Sequence, residues 1–463
     1  MTVIRVPGGP GRDTTGPALP TIADAAARLR DGRTTAVELV ERCLDAIARR
    51  DGELNAFIAV TADDARAAAE QADRAREAGR PLGPLHGIPV SVKDLLDLRG
   101  LPTTAASRAR AGHRAAADAP ALAALRRAGA IFLGKCNLHE FAFGTTGADS
   151  AFGPTRNPHA PAHVAGGSSG GSAVSVAAGM ALASVGTDTG GSIRIPAAAC
   201  GVVGLKPTFG ELLCDGVVPL APTLDHVGPL GPTVDDVAAV YRALAAGGAA
   251  AATEDGGLPA TIRTGLPRRY FLDLLDPAVR AAFEAALDRL RNDGAEIATV
   301  DVPHAPEIPR TYRHTQLREA YAAHAATLAA RGNDYSPAVR RRLELGRSVS
   351  RADYARAQEM RETLRGEVDA ALAGCHALLL PTLAIPAPRL GAEEVAVGDR
   401  TVDVRSLTLR LTQLFNLTGH PAVSIPCGTT PDALPCAAQL VGRRGATGRL
   451  LALAARCEDA LRG

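Results

Sequence analysis

The chain has 463 residues, 46% apolar and 22% charged, with a formal net charge of +2. That size and balance fit a soluble globular protein, built as one large α/β domain or as two domains. Lys and Arg are dispersed, and aromatic residues are 3% with no Trp, which argues against a nucleic-acid groove, a membrane surface or a base-stacking platform.

Residues 1–20 hold no apolar run long enough for a signal peptide and read as a flexible arm. Thr35-Ala-Val-Glu38 has capping-box spacing, in which hydroxyl and carboxylate each satisfy a free amide at a helix start. Val37, Val40, Leu44 and Ile47 then share one helical face. A short strand is expected over 54–60 and an alanine-rich helix over 61–78, ended near Gly79. His86-Gly-Ile-Pro-Val-Ser-Val-Lys-Asp94 reads as a turn feeding a buried strand that ends on Lys93. In open α/β sheets, ligands gather at that edge. A helix over 117–128, an apolar strand over 130–133 and a Gly/Thr/Ser-rich loop over 140–154 follow.

Residues 166–196, GGSSGGSAVSVAAGMALASVGTDTGGSIRIP, hold two glycine turns around a packed helix (172–178) and a buried strand (181–186). Pro196 is expected to open a further helix over 197–200. The segment 173–185 is too short and too serine-rich to span a bilayer. Downstream, a strand at 262–265, a helix opened by Asp276-Pro277 and closed at Asn292-Asp-Gly294, and a strand at 297–302 form a β-α-β unit. A parallel or mixed sheet follows from it. Ser336-Pro337 and Ser350 begin two more helices, and 376–380 and 422–426 are short buried strands. The low-complexity stretch 245–257 reads as a surface loop, because strand–helix alternation continues on both sides of it. Eight cysteines are scattered, without CxxC or zinc-like spacing to His. They read as reduced core thiols of a cytoplasmic protein with no metal site.

The Gly/Ser segment has too many apolar residues for a linker. It lacks both GxxxxGK[ST] and GxGxxG, which argues against a phosphate loop. A catalytic reading has a chemical logic. Gly190 and Gly191 let the backbone amides of Thr189, Gly190, Gly191 and Ser192 converge beside the Ser192 hydroxyl as an oxyanion hole. A serine nucleophile needs a base, yet no His falls between His163 and His226 and no GxSxG elbow surrounds Ser192. The remaining base is a lysine kept neutral by burial. Lys93 is the best candidate, with Ser168 as a hydroxyl relay. Ser169, Ser172 and Ser175 read as hydrogen-bonding or packing residues, and Asp188 with Arg194 as braces of the turn. Asp225-His226 and His139-Glu140 read as structural, since adjacent residues rarely converge on one proton.

GGSSGGSA followed by GTDTGGSIRIPAAACGVVGLKPT, with HGIPVSVKD, FGPTRNP, LDHVGPL and FNLTGHPAVSIPCG, resembles the amidase signature family from about Thr21 to the end. The resemblance implies one α/β domain over 21–463, with a twisted mixed sheet flanked by helices on both faces. It implies a Ser–cis-Ser–Lys triad in which Ser192 is the nucleophile, Ser168 the bridging serine after a cis peptide, and Lys93 the base. The backbone of Thr189–Ser192 would be the oxyanion hole. The reaction would pass through an acyl-enzyme, with no metal or organic cofactor.

Two branches of that family differ at readable positions. The A subunit of the glutamyl-tRNA(Gln) amidotransferase typically carries GGSIRQP, where this chain has Ile195. It also usually carries an acidic residue where this chain has Leu409. Arg361 matches either that subunit's carboxylate-binding arginine or a solvated helix charge. A stand-alone amidohydrolase acting on a small or medium carboxamide is therefore expected. The glutaminase subunit is the alternative, and an inactive scaffold the remote one. The expected partner is a small-molecule amide, with no direct nucleic acid, no membrane and a possible homodimer. Pocket walls are expected from 141–150, 305–345 and 382–412, with Phe141, Phe143 and Leu409 as apolar candidates.

Overall fold

The structure is a computed structural model that describes residues 19–246 and 257–462. The expected arm over 1–20 and the loop over 245–257 lie almost wholly outside the described residues. The strands are β1 (Phe57–Val60), β2 (Pro89–Lys93), β3 (Ile131–Cys136), β4 (Ala183–Asp188), β5 (Val203–Lys206), β6 (His226–Gly231), β7 (Arg263–Pro267), β8 (Glu296–Val300), β9 (Ala377–Pro381), β10 (Glu394–Val397), β11 (Arg400–Asp403), β12 (Ala422–Thr429) and β13 (Pro435–Val441). β10 and β11 form a separate ribbon. The others make one eleven-stranded sheet in the order β1-β3-β2-β4-β6-β5-β12-β13-β9-β7-β8. It is mixed: β2 runs parallel to β3 and β4, and β7 to β8 and β9, while the remaining pairs are antiparallel. The expected β-α-β unit is the β7–β8 pair with its helix Pro277–Asn292.

Helices flank both faces of the sheet, and the side chains show why. Leu379, Val423, Ala438 and Leu440 enter one core, whereas Leu378, Leu380, Ala422 and Val441 enter another. Alternate residues of a strand point to opposite faces. A strand covered on both sides is apolar throughout, so β9 reads ALLLP with every residue buried.

Local chemistry sets the boundaries. Thr35 and Glu38 form the expected capping box of the helix Ala36–Leu54. That helix runs to Leu54, past the expected strand start, because Asn55 adopts the left-handed conformation and Asp51 accepts the amides of Ala56 and Phe57. The helix expected from 197 begins at Arg194, because the Asp188 carboxylate accepts the Ile193 and Arg194 amides and caps it from a distance. Asp276, Ser336 and Ser350 cap their helices as expected. The helices Ile22–Arg30, Val234–Ala245, Ile308–Arg331 and Thr447–Arg462 and the strands β5, β6 and β13 add elements that the sequence patterns above did not mark.

The start of the helix Gly170–Ala177 is packed against main chain. A Cβ on Gly171 would lie 2.3 Å from the Ala56 carbonyl oxygen and 2.5 Å from that of Asn137. Neither backbone has a flexible end to move. Gly171→Ala is expected to cost about 1–3 kcal/mol by overpacking, read as a lower urea midpoint; an unchanged midpoint would contradict this packing.

Candidate active site

Lys93 ends β2, and β4 runs parallel beside it with Val92 opposite Val185. That register sets the Lys93 side chain against Thr187, near the end of β4. The turn before the helix Gly170–Ala177 meets the same strand ends, and its Gly167–Ser168 peptide is cis. Lys93 Nζ lies 2.8 Å from Ser168 Oγ, 2.9 Å from Ser169 Oγ and 2.7 Å from Thr187 Oγ1. The lysine is fully buried, and burial pushes its ammonium down to about 7, against the opposing pull of the Asp188 and Asp225 carboxylates.

The three hydroxyls are not equivalent. Ser169 Oγ directs its own proton at the Thr187 carbonyl, 3.0 Å away, so it accepts from Lys93. A neutral amine has two N–H groups and one lone pair. With Ser169 and Thr187 taking the N–H groups, the lone pair is left facing the Ser168 hydroxyl. Ser169 and Thr187 are therefore partners of Lys93 that the sequence reading did not assign. Their signal was position alone, one beside Ser168 and the other in the strand next to Lys93.

Ser192 keeps 6% of its surface accessible, whereas Lys93 and Ser168 have none. Its carbonyl accepts the Ser169 amide at 3.1 Å. The structure thus places Lys93 and Ser168 in direct contact and ties Ser192 to the same turn through main chain. The Ser192 hydroxyl itself is bonded to none of the described residues. Nor do the amides of Thr189, Gly190, Gly191 and Ser192 donate to an acceptor among them. Buried amides left unpaired are rare, and these cluster beside an accessible hydroxyl. Gly191 has φ 138°, and a Cβ there would lie 2.3 Å from Thr412 Oγ1; one on Gly190 would lie 2.1 Å from the Tyr312 hydroxyl. The glycines let two hydroxyl side chains close over the turn.

A buried ion pair holds this turn from behind. Arg194 Nη2 lies 3.0 Å from Asp188 Oδ1 and Nε 3.1 Å from Oδ2, with both side chains fully buried. The other guanidinium bonds go to Asn416 Oδ1, Gln439 Oε1 and the Thr412 carbonyl. Burial opposes the Asp188 charge, but Arg194 and the Asn416 amide hold its carboxyl well below the usual carboxylate range. These are the braces expected from sequence, with three further partners that sequence proximity could not show.

The adjacent acid–base pairs are structural. Asp225 accepts the Thr189 hydroxyl and the amides of Leu220 and Ala221, and burial pushes it up to about 6. His226 Nδ1 lies 2.7 Å from the Leu224 carbonyl, and Nε2 lies 3.2 Å from Lys206 Nζ. His139 pairs with Asp149 at 3.2 Å, while Glu140 accepts the Ser336 amide. Arg361 is buried and donates to the Thr223 and Leu417 carbonyls, so it is no solvated helix charge.

Comparison with known proteins follows this geometry. The family described as Amidase matches residues 38–451. The chain belongs to the amidase signature family. It is therefore an amidohydrolase, acting on amide C–N bonds. It is 38% identical to the A subunit of the glutamyl-tRNA(Gln) amidotransferase of Chloroflexus aurantiacus, over 91% of this chain and 93% of that one. Among solved structures, one described as an amidase superposes with a TM-score of 0.90 at 37% identity, over 96% of this chain and 100% of the other. The peptide amidase of Stenotrophomonas maltophilia gives 0.80 at 30% identity, over 96% and 97%. The A subunit of the Thermotoga maritima glutamyl-tRNA(Gln) amidotransferase gives 0.77 at 32% identity, over 95% and 94%. Among the described residues, no helix is long and apolar enough to cross a membrane.

Arg194→Met would leave Asp188 charged and unpaired in the interior. A loss of about 3–5 kcal/mol is expected, measured by urea unfolding. Asp188→Asn combined with Arg194→Met should recover part of it; a double variant no better than the single would refute the pairing as the cause.

Proposed function

We propose that this amidohydrolase works alone on a small or medium carboxamide, with Ser192 as nucleophile, Ser168 as proton relay and Lys93 as base. The observation that carries the reading is the fully buried Lys93, pushed down to about 7 and in contact with Ser168. A base poised near the working pH is the most effective one. The neutral amine takes the Ser168 proton as Ser168 takes that of Ser192. The Ser192 oxygen then adds to the amide carbonyl, and the oxyanion rests on the amides of Thr189, Gly190, Gly191 and Ser192. Such donors contribute about 3–4 kcal/mol each to lowering a barrier of this kind. The relay returns its proton to the departing nitrogen as the C–N bond breaks. Water then cleaves the Ser192 ester by the same path.

Three features support a stand-alone enzyme over a component of an amidotransferase. Ile195 packs an apolar side chain on the turn, its Cδ1 lying 2.8 Å from where a Gly191 Cβ would sit. Leu409 lies 3.1 Å from the Cβ position of Gly190, with no charge to offer an ammonium group. Arg361 has its donors engaged by main-chain carbonyls. The amidotransferase reading draws on the 38% identity to the Chloroflexus protein. Its mark would be glutaminase activity that appears only with a tRNA-binding partner. A reducing, cytoplasmic setting is supported by eight cysteines that are all unpaired.

Ser192→Ala is expected to lower kcat/KM on any accepted amide by about 10³-fold or more with an unchanged urea midpoint; retained hydrolysis would overturn the assignment. For the base, kcat/KM should rise through about pH 7 and level off above it, as folded Lys93 gives up its proton. Lys93→Ala should lower the plateau by about 10²–10⁴-fold and erase that limb. A limb near pH 7 that survives in Lys93→Ala belongs to another group.

A further inference from the structure

Two short chains of contact lead away from the glycine turns and end on one short helix, Val404–Leu409. From Gly190, the Tyr312 hydroxyl packs where a Cβ would be, Gln316 Nε2 donates to that hydroxyl, and Gln316 Oε1 accepts from Arg405 Nη2 at 3.0 Å. From Gly167, the Thr145 carbonyl carbon lies 3.0 Å from the Cβ position, and Thr145 Oγ1 accepts from Thr408 Oγ1 at 2.9 Å. Thr408 stands on the same short helix as Arg405, Val404–Leu409. The helix Val404–Leu409 therefore meets both chains, and the Arg405 side chain belongs to the one that starts at Gly190.

A second guanidinium stands with it. Arg405 and Arg342 lie 5.7 and 5.5 Å from the centroid of the Phe143 ring. Neither forms an ion pair with a described residue. Their nearest carboxylates act only at a distance and are engaged elsewhere: Asp149 by His139 at 3.2 Å, and Asp403 by the Ser406 amide at 2.8 Å. Burial, and the charge of Arg342, push Arg405 down to about 10. A site that holds two cations together and turns their neighbouring carboxylates away gains most from an anionic ligand.

We infer that Arg405, with Arg342 beside it, receives a carboxylate on the acyl portion of the substrate. The substrate class is then a half-amide of a dicarboxylic acid, with an amide at one end and a carboxylate at the other. A guanidinium fork suits that group because it can donate two parallel N–H bonds to one carboxylate. Leu409, apolar and packed on Gly190, offers no charge to an α-ammonium group, which favours a chain without an amino substituent between the two ends. In the reaction the bond to Ser192 Oγ forms first, giving the oxyanion; the acyl C–N bond breaks as that intermediate collapses, and the Ser192 proton leaves with ammonia. Water then releases the dicarboxylate. The inference rests on the proposed role of Ser192, and its test separates the two.

Ser192 is labelled with a fluorophosphonate in the presence of succinamate or glutaramate, or of their neutral counterparts butyramide and pentanamide. Ammonia release from each amide is measured in parallel. The anionic amides are expected to slow labelling at about tenfold lower concentration or less, and to be hydrolysed with about tenfold higher kcat/KM, the scale of one charge-assisted contact. The preference should weaken as salt is raised. It should fall at least about tenfold in Arg405→Gln, be partly kept in Arg405→Lys, and fall by less in Arg342→Gln. Equal protection by anionic and neutral amides, or a preference that survives in folded Arg405→Gln, overturns the inference. If Arg405→Gln does not fold, the wild-type comparison and Arg342→Gln decide. A Ser192 that the probe does not label overturns the amidase mechanism instead.

Discussion

Arg194 and Asp188 bring opposite charges into the fully buried interior, and the candidate active-site turn hangs between them. A buried ion pair is favourable only when its remaining hydrogen-bonding capacity is also met. Here it is met, by Asn416, Gln439 and the Thr412 carbonyl on the guanidinium side and by the Ile193 amide on the carboxylate side. Because the ends of the turn are fixed from outside, its own amides need not bond to one another. Thr189–Ser192 can thus present donors to a ligand with no rearrangement, the condition for strong electrostatic stabilisation of a transient charge.

Three buried cations near the ends of the central strands show how surroundings decide behaviour. Arg194 meets the Asp188 carboxylate at 3.0 Å. Lys135, on the strand beside Lys93, lies 2.8 Å from the Asp94 carboxylate. Lys93 meets hydroxyls and the Thr187 carbonyl but no carboxylate, so no opposite charge in contact offsets its desolvation, and burial pushes its ammonium down to about 7.

The local parts of this site were legible in the sequence. Ser168, Ser192 and Lys93 stand in dense, unusual motifs, and the cap of Thr35 or the proline after Asp276 acts within one helical turn. The fold class followed from strand–helix alternation. What sequence could not show is distant partnership. Thr412, Asn416 and Gln439 reach Arg194 because β12 pairs with β5 and β13 with β12, a strand order that no periodicity encodes. Arg405 carries no motif, and only its bond to Gln316, which in turn bonds Tyr312, links it to the Ser192 turn. Ser169 illustrates a finer limit. Its hydrogen-bonding character was clear, yet its partner was fixed by the depth at which Lys93 is buried.

The separation between Arg194 and Gln439, 245 positions along the chain, also has a consequence for synthesis. A nascent chain that has passed β6 already owns both serines and the lysine. It also owns Asp188, but it lacks Thr412, Asn416 and Gln439, which hold Arg194 from the far side, so its central turn has no floor. Contacts of such long range form late, after their loop-closure cost is met. The turn is therefore fully braced only once the last strand, β13, is in place. A truncation that spares Lys93, Ser168 and Ser192 would still remove the far-side partners of Arg194 and leave an aggregation-exposed intermediate.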